Sequence, residues 1–225
     1  MKLYMVSLGP GDYELITLKA LKALQTCDAI CIPTKSADNS FTRSMTYKIV
    51  KKLMDEYGFE KDIIPMYTPM KFKTDDWQRQ VDIIEDSFKK YDSLSFVTLG
   101  DSAVYSTVYY LLDIIKEQHK EVYENSEVIP GVTSFSHASA KVKKPLCVGD
   151  SSFIIRPLHK RKVPFTTVYM RPKIGMTTDR IKEKNDIYTF ENLNYKGETI
   201  LEHKKEKVDK YMTLFIDFHN RNEQV

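Results

Sequence analysis

Residues 96–107 have the sequence FVTLGDSAVYST, and they predict the strand-to-helix turn around which the fold is arranged. The apolar run that ends at Leu99 has the length and content of a buried strand. After Gly100 and Asp101, apolar residues recur from Val104 onward at the spacing of one helix face. Open α/β sheets bind ligands where a strand ends and a helix begins, so Gly100 and Asp101 are candidate binding residues. The alternative interpretation is an ordinary turn in which Asp101 is the helix N-cap.

The composition of the 225-residue chain is typical of a globular protein with one large or two small cores. Hydrophobic residues make up 42% and charged residues 29%, and no apolar run reaches the roughly 18 residues that a membrane span needs. The first residues lead into a strand-like segment without a signal-peptide cleavage site. A net charge of +3 is too small to indicate nucleic-acid binding. We therefore expect a cytoplasmic protein whose partners include neither a nucleic acid nor a membrane.

The three cysteines, Cys27, Cys31 and Cys147, form a sparse and odd-numbered set. No further cysteine or histidine lies near Cys27 and Cys31 in the sequence to complete a metal site. We therefore expect reduced thiols in the core and no bound metal.

Strand-like and helix-like segments alternate through the first part of the chain, which predicts a mostly parallel α/β sheet. The predicted strands are residues 3–8, 29–32, 63–66, 94–99 and 127–129, and the predicted helices are residues 14–26, 45–57, 77–91, 104–120 and 133–142. Pro33 is expected to close the second strand.

The pattern becomes strand-rich after Pro145. Strands are predicted at residues 153–155, 165–170, 187–190, 199–201 and 212–218, and one helix at about residues 178–184. A charged run at residues 116–121 predicts a boundary near residues 118–126. We therefore expect two α/β domains, residues 1–120 and 121–225.

Four short motifs follow one another along the chain. They are Gly9-Pro10-Gly11-Asp12, Leu18-Lys19-Ala20, Leu99-Gly100-Asp101 and Ile129-Pro130-Gly131-Val132-Thr133-Ser134. With these motifs in this order, the chain resembles the tetrapyrrole (corrin/porphyrin) methylase family over essentially its whole length. The resemblance implies two α/β domains with S-adenosylmethionine bound in the cleft between them, and a homodimer. It also implies methyl transfer to a carbon of a tetrapyrrole ring, which leaves S-adenosylhomocysteine.

The resemblance assigns cofactor contacts residue by residue. The matching positions are Pro10 (one wall of the cleft), Leu99, Gly100 and Asp101 (the turn that holds the methionine end), Val104 (a backbone contact), Thr133 and Ser134 (a pair beside the cofactor) and Met170 (an adenine-side contact). The family usually has proline where this chain has Ser102. The chain lacks the G-x-G-x-x-G of the commoner Rossmann methyltransferases, so we expect a different mode of cofactor binding.

Within the family, Tyr105-Ser106-Thr107 and the run at residues 130–136 are most similar to members that methylate C20 of precorrin-2 or of its cobalt form. Two alternatives share the fold: a uroporphyrinogen III methylase and a diphthine synthase. A third is a non-catalytic protein that holds the tetrapyrrole or the cofactor. A fourth is a phosphate or nucleotide binder that uses the Gly-Pro-Gly loop.

The chemistry requires few side chains, because the cofactor brings the reactivity. A base must take a proton from the methylated carbon, and Asp101, Tyr105 and Glu191 are candidates between which the spacing does not choose. The carboxylates of a tetrapyrrole need cationic partners. The candidates are Lys35, Arg43, Arg156, His159, Lys160 and Arg161, each with a solvated surface charge as the alternative.

Overall fold

A computed structural model describes residues 1–69, 74–156, 165–181 and 186–219 of the chain. The chain divides into two compact units, residues 1–153 and 154–225. Within the described ranges, the first unit contains a parallel sheet and the second an antiparallel sheet. The predicted mixed α/β fold is therefore confirmed.

The first unit alternates strands and helices around a five-stranded sheet. Its strands are β1 (Lys2–Ser7), β2 (Ala29–Thr34), β3 (Asp62–Tyr67), β4 (Ser93–Thr98) and β5 (Ser126–Ile129). Its helices are α1 (Leu18–Thr26), α2 (Met45–Tyr57), α3 (Thr74–Ser87), α4 (Val108–Gln118), α5 (Lys120–Glu124) and α6 (Ser134–Val142), with a 3-10 turn at Tyr13–Leu15. The strands pair in parallel in the order β3-β2-β4-β1-β5. Because β1 pairs with both β4 and β5, the loops that follow these three strands leave the same edge of the sheet.

The central strands are buried on both faces of this sheet. Along β1, Leu3 and Met5 belong to an apolar cluster with residues of α3 and α4, whereas Val6 belongs to a cluster with residues of α1 and α2. In β4, Phe96 has no exposed surface and belongs to the first of these clusters, while Val97 belongs to the second. Burial on two faces explains why β4 has the consecutive apolar residues Phe96 and Val97 and not a strict alternation of polar and apolar residues.

Local sequence signals fix the ends of α2. Ser44 precedes the helix, and its Oγ accepts a hydrogen bond from the Tyr47 amide at 3.2 Å. Gly58 follows the helix with a φ of +64°, a left-handed conformation that glycine adopts without strain. The predicted range of this helix, residues 45–57, is confirmed.

The second unit contains a four-stranded antiparallel sheet in the order β6-β9-β7-β8. Its strands are β6 (Thr167–Tyr169), β7 (Asp186–Glu191), β8 (Thr199–Leu201) and β9 (Thr213–Phe218). Glu191 at the end of β7 is only 1% exposed, and its two carboxylate oxygens are paired with Lys205 at 2.8 Å and Lys210 at 2.9 Å. Hydrogen bonds to Asp209 and Glu191 raise the pKa of Lys205. The buried carboxylate is thus compensated by two ammonium groups.

Two predicted elements are absent from the described residues, and one predicted strand end is wrong. Residues 153–155 do not form a strand. Residues 178–181, the described part of the predicted helix, are not helical. The Thr178 hydroxyl donates a hydrogen bond to the carbonyl of residue 205 and the Thr178 amide donates one to the carbonyl of residue 206. Residues 182–185 lie outside the described residues. The second strand does not end at Pro33 but continues to Thr34. Its pairing with β4 has already ended at Cys31, so the N–H group that proline lacks interrupts no hydrogen bond to β4.

The division of the chain into units also differs from the predicted boundary near residues 118–126. β5 begins at Ser126, just after α5, and pairs in parallel with β1. The segment that follows the charged run is therefore part of the first sheet, and the two units divide between residues 153 and 154.

The cysteines are free thiols in two different environments. Cys27 and Cys31 are buried, whereas Cys147 is exposed, so the prediction of a core position is wrong for Cys147. Burial raises the pKa of Cys27 and raises that of Cys31 to about 12, which keeps both thiols protonated at neutral pH. In the described part of the chain, no group of three His, Cys, Asp or Glu side chains is arranged to hold a metal ion. Nor does any helix there have the length and apolar character that a membrane span requires.

Candidate functional site

The loops that follow β1 and β4 are joined by their glycines. The Gly9 amide donates a hydrogen bond to the Gly100 carbonyl at 3.1 Å, and the Gly100 amide donates one to the Gly9 carbonyl at 2.7 Å. Both residues have left-handed φ angles, +77° and +75°, which a residue with a side chain adopts only with strain. The Gly-Pro-Gly loop and the Leu-Gly-Asp turn are thus held side by side although they are far apart in the sequence.

A third loop, which follows β5, packs against these two. A Cβ atom added to Gly131 would lie 2.7 Å from Ser7 Cβ and 2.8 Å from the Gly100 carbonyl oxygen, closer than real Cβ atoms approach other atoms. Glycine is therefore required here by the close approach of other backbone. We call the loops at residues 9–12, 99–101 and 130–133 the three-loop junction.

The side chain of Asp101 links two loops of the junction. Its Oδ1 accepts hydrogen bonds from the Ala103 amide at 3.3 Å and from the Gly131 amide at 3.4 Å. Asp101 is not the N-cap of α4, because that helix begins at Val108 and Thr107 occupies the cap position. The interpretation of this segment as an ordinary turn capped by Asp101 is therefore excluded.

The segment that leads from the junction to α4 is a structured loop, so the predicted start of this helix at Val104 is wrong. Val104 is half-buried within the loop. Ser106 Oγ accepts a hydrogen bond from the Val108 amide at 3.2 Å and shares a second one with Thr98 Oγ1, also at 3.2 Å. Tyr105 has a left-handed φ of +51° and is 73% exposed. The loop therefore presents a phenol ring to solvent directly after the Gly-Asp turn.

The other predicted cofactor residues of the first unit lie at this junction. Leu99 is 46% exposed although it directly follows a buried strand, and Pro10 is half-buried. Thr133 is the N-cap of α6, its Oγ1 accepting from the Ser136 amide at 3.4 Å, and Ser134 is the exposed first residue of that helix. An apolar side chain, hydroxyl groups and a carboxylate are thus brought together at the carboxyl edge of the sheet, where open α/β sheets bind ligands.

Met170 lies in the second unit, directly after β6, and is 69% exposed. The structure brings together the predicted residues of the first unit, whereas the role of Met170 stays a prediction. Among the candidate bases, Glu191 has both oxygens occupied by lysines and is almost fully buried, so neither oxygen is open to a substrate. Asp101 and Tyr105 remain as candidates, one half-buried and one exposed.

The candidate cations at the substrate side are placed only in part. Lys35 and Arg43 are exposed at the two ends of the loop that follows β2. This loop is fastened to the strand end, because Thr34 Oγ1 donates a hydrogen bond to the Ser40 carbonyl at 2.5 Å. Arg156 is exposed in the second unit, and residues 159–161 lie outside the described residues.

One residue of the site, Ser7, was not identified from the sequence. It is the last residue of β1 and has no exposed surface. Its Oγ accepts a hydrogen bond from the Ser102 amide at 2.9 Å, which ties the end of β1 to the turn after β4. The signal in the sequence was a hydroxyl group at the end of an otherwise apolar strand.

The chain is similar to a known family of enzymes. The sequence model of the tetrapyrrole (corrin/porphyrin) methylases matches residues 2–207. The chain is 30% identical over 187 residues to a probable cobalt-precorrin-2 C(20)-methyltransferase of Methanocaldococcus jannaschii, which covers 81% of this chain and 75% of that relative. It is also 30% identical over 160 residues to the cobalt-precorrin-2 C(20)-methyltransferase of Salmonella typhimurium, which covers 68% of this chain and 62% of that relative.

The fold is also similar to that of a solved structure, the cobalamin biosynthetic enzyme cobalt precorrin-4 methyltransferase CbiF. The TM-score is 0.52 at 17% identity, and the match covers 96% of this chain and 93% of that chain. At this identity the likeness concerns the fold alone.

Replacing Gly131 by alanine tests the close packing of the three-loop junction. We expect Gly131→Ala to lower the free energy of unfolding by about 2–3 kcal/mol, because the new methyl group overlaps Ser7 and the Gly100 carbonyl. Urea denaturation followed by circular dichroism measures the change.

Gly149→Ala is the control for this substitution. A Cβ atom added there meets nothing within 4 Å, so only the left-handed φ of +59° carries a cost, about 1 kcal/mol. Equal losses in the two variants would show that Gly131 is not held in a tight contact.

Proposed function

The chain belongs to the tetrapyrrole (corrin/porphyrin) methylase family, and from this membership we propose that it transfers a methyl group from S-adenosylmethionine to C20 of precorrin-2 or of its cobalt form. The observation that carries the choice of position is the 30% identity with two relatives named as C20-methyltransferases of cobalt-precorrin-2. The Tyr105-Ser106-Thr107 sequence after the Gly-Asp turn supports the same choice.

The residues of the three-loop junction fit the methionine end of S-adenosylmethionine, which carries an ammonium and a carboxylate group. The hydrogen bonds that Asp101 accepts within the described chain engage Oδ1, and Oδ2 is thereby left to accept from an ammonium group. Leu99 offers an exposed apolar surface beside it. We propose that residues 99–101 hold this end of the cofactor, and that Pro10, Val104, Thr133, Ser134 and Met170 contribute further contacts.

S-adenosylmethionine supplies a methyl group on a sulfonium sulfur, and the electron pair of the broken carbon–sulfur bond stays on sulfur as a nucleophilic carbon takes the methyl group. The protein's part is to hold the reacting groups in line. Fixing the carbon at roughly 3–3.5 Å from the methyl group could remove about 7–11 kcal/mol of the barrier. The hydrogen-bonded glycines of the junction suit this task, because backbone contacts do not change rotamer. The methylated carbon must also lose a proton, for which Asp101 and Tyr105 are the candidate acceptors.

The reaction is tested by anaerobic incubation with S-adenosylmethionine and cobalt-precorrin-2, with metal-free precorrin-2 in parallel. We expect mass spectrometry to find a gain of one methyl group and NMR to place it at C20. The relative rates identify the preferred form of the substrate. Cofactor binding without methylation of either form would overturn the proposed acceptor, and uroporphyrinogen III and the diphthine precursor are then the next substrates. Binding of the tetrapyrrole without turnover on any acceptor would favour a non-catalytic carrier.

Two substitutions at Asp101 separate its charge from its hydrogen bonds. We expect Asp101→Ala to reduce the affinity for S-adenosylhomocysteine at least about a hundredfold, because it removes both the negative charge and the acceptor for two backbone amides. Asp101→Asn keeps an amide oxygen in the same place and should lose only the share of affinity that comes from the charge. Isothermal titration calorimetry measures both affinities.

Circular dichroism is the control, since both variants should remain folded. Unchanged affinity in Asp101→Ala would remove this residue from the cofactor site. An equal loss in the two variants would assign the whole effect to charge.

We also propose that the protein is a homodimer, which the family resemblance implies. Small-angle scattering at micromolar concentration should give a mass twice that of the 26.2 kDa chain. A monomer mass under these conditions would contradict the proposal.

A further inference from the structure

We propose that Ser7 and Ser102 form a matched pair that positions the Gly100–Asp101 turn and thereby sets the affinity of the chain for its cofactor. This inference rests on the proposed function, because it takes the turn as the holder of the cofactor. Both residues are buried, Ser7 with no exposed surface and Ser102 with 2%. They are neither charged nor part of the motifs that define the family resemblance.

The pair is joined by one backbone-to-side-chain hydrogen bond. The Ser102 amide donates to Ser7 Oγ at 2.9 Å, in a fully buried setting and across a wide separation in sequence. Burial makes such a bond expensive to lose, because the group left behind has neither a protein nor a water partner. The bond therefore holds Ser102 against the end of β1.

The hydroxyl group of Ser102 differs from its amide in its hydrogen bonding. Within the described part of the chain, Ser102 Oγ is buried and has no hydrogen-bond partner. A buried hydroxyl without a partner is destabilising, so the side chain does not account for serine at this position. What position 102 contributes to the structure is the N–H group.

This distinction matters because a proline at position 102 would have no N–H group. A proline here would leave Ser7 Oγ buried without its donor. Ser7 and an N–H at position 102 thus require each other.

The effect of the pair reaches the cofactor turn through close packing. Ser102 directly follows Asp101, and Ser7 lies so near the third loop that an added Gly131 Cβ would be 2.7 Å from Ser7 Cβ. Any shift of Ser102 away from Ser7 therefore moves Asp101, whose Oδ1 is bonded to the Gly131 amide at 3.4 Å. The pair acts on the cofactor by positioning Asp101, and neither serine needs to touch the ligand.

Five proteins test the pair: the wild type, Ser7→Ala, Ser102→Ala, Ser102→Pro and the double variant Ser7→Ala/Ser102→Pro. Calorimetry measures the dissociation constant for S-adenosylhomocysteine at a temperature where each protein is folded, so that it reports the position of the turn and not global stability. The melting temperature without ligand is measured in parallel.

We expect Ser102→Ala to bind within about twofold of the wild type and to melt no lower, because it keeps the N–H and removes the unpaired hydroxyl. Ser102→Pro and Ser7→Ala should each weaken binding about tenfold, since each leaves one buried group unpaired. The double variant should bind better than either single variant, because it leaves neither group unpaired.

Three results would overturn the inference. They are losses that add to about a hundredfold in the double variant, a loss in Ser102→Ala as large as in Ser102→Pro, and unchanged affinity in all variants. A wild type that binds S-adenosylhomocysteine and shows the coupling but methylates no precorrin-2 would overturn the proposed acceptor and leave the pair standing. Methylation of precorrin-2 without coupling between the two serines would overturn the pair and leave the proposed acceptor standing.

Discussion

The two hydrogen bonds between Gly9 and Gly100 are the constraint on which the candidate site depends. They form only because β1 and β4 are adjacent parallel strands that end at the same level, as the register of Ser7 with Thr98 shows. Each glycine adopts a left-handed φ, which lets the two loop segments form hydrogen bonds with each other beyond the strand ends. The third loop enters the remaining space, which excludes even a methyl group at Gly131. The residues that we propose to bind the cofactor are thereby fixed to the sheet.

Much of the first unit could be predicted because its helices and strands bury apolar residues with a clear period. β4 is buried on two faces and accordingly has consecutive apolar residues, Phe96 and Val97. The ends of α2 were predictable for a different reason, since Ser44 and Gly58 are strong capping residues. The start of α4 was not, because Val104 continues the apolar spacing of the helix although the loop before Val108 is held by hydrogen bonds of Ser106.

The four strands of the second unit lie within one residue of predicted strands or inside them, but not every apolar segment there is a strand, because a strand needs another strand to pair with it. Residues 153–155 are as apolar as a strand, yet Ile154 is 70% exposed and unpaired in the described sheets. The same limit applies to the site. Short motifs could indicate which loops are candidates for cofactor binding, but the contact of Gly131 with Ser7 depends on the strand order β4-β1-β5, which no local pattern contains. The burial of Glu191 between two lysines is likewise a tertiary property.

The junction and the Glu191 cluster compensate buried polar groups in opposite ways. Glu191 is neutralised by side-chain ammonium groups, whereas the polar groups of the junction are bonded mainly to backbone amides: Ser7 to the amide at position 102, and Asp101 to those at positions 103 and 131. Backbone donors are present at every residue except proline, so the second arrangement constrains few side chains. It restricts instead two kinds of position: those where a Cβ atom would overlap other backbone, and those where a proline would remove a bonded N–H group.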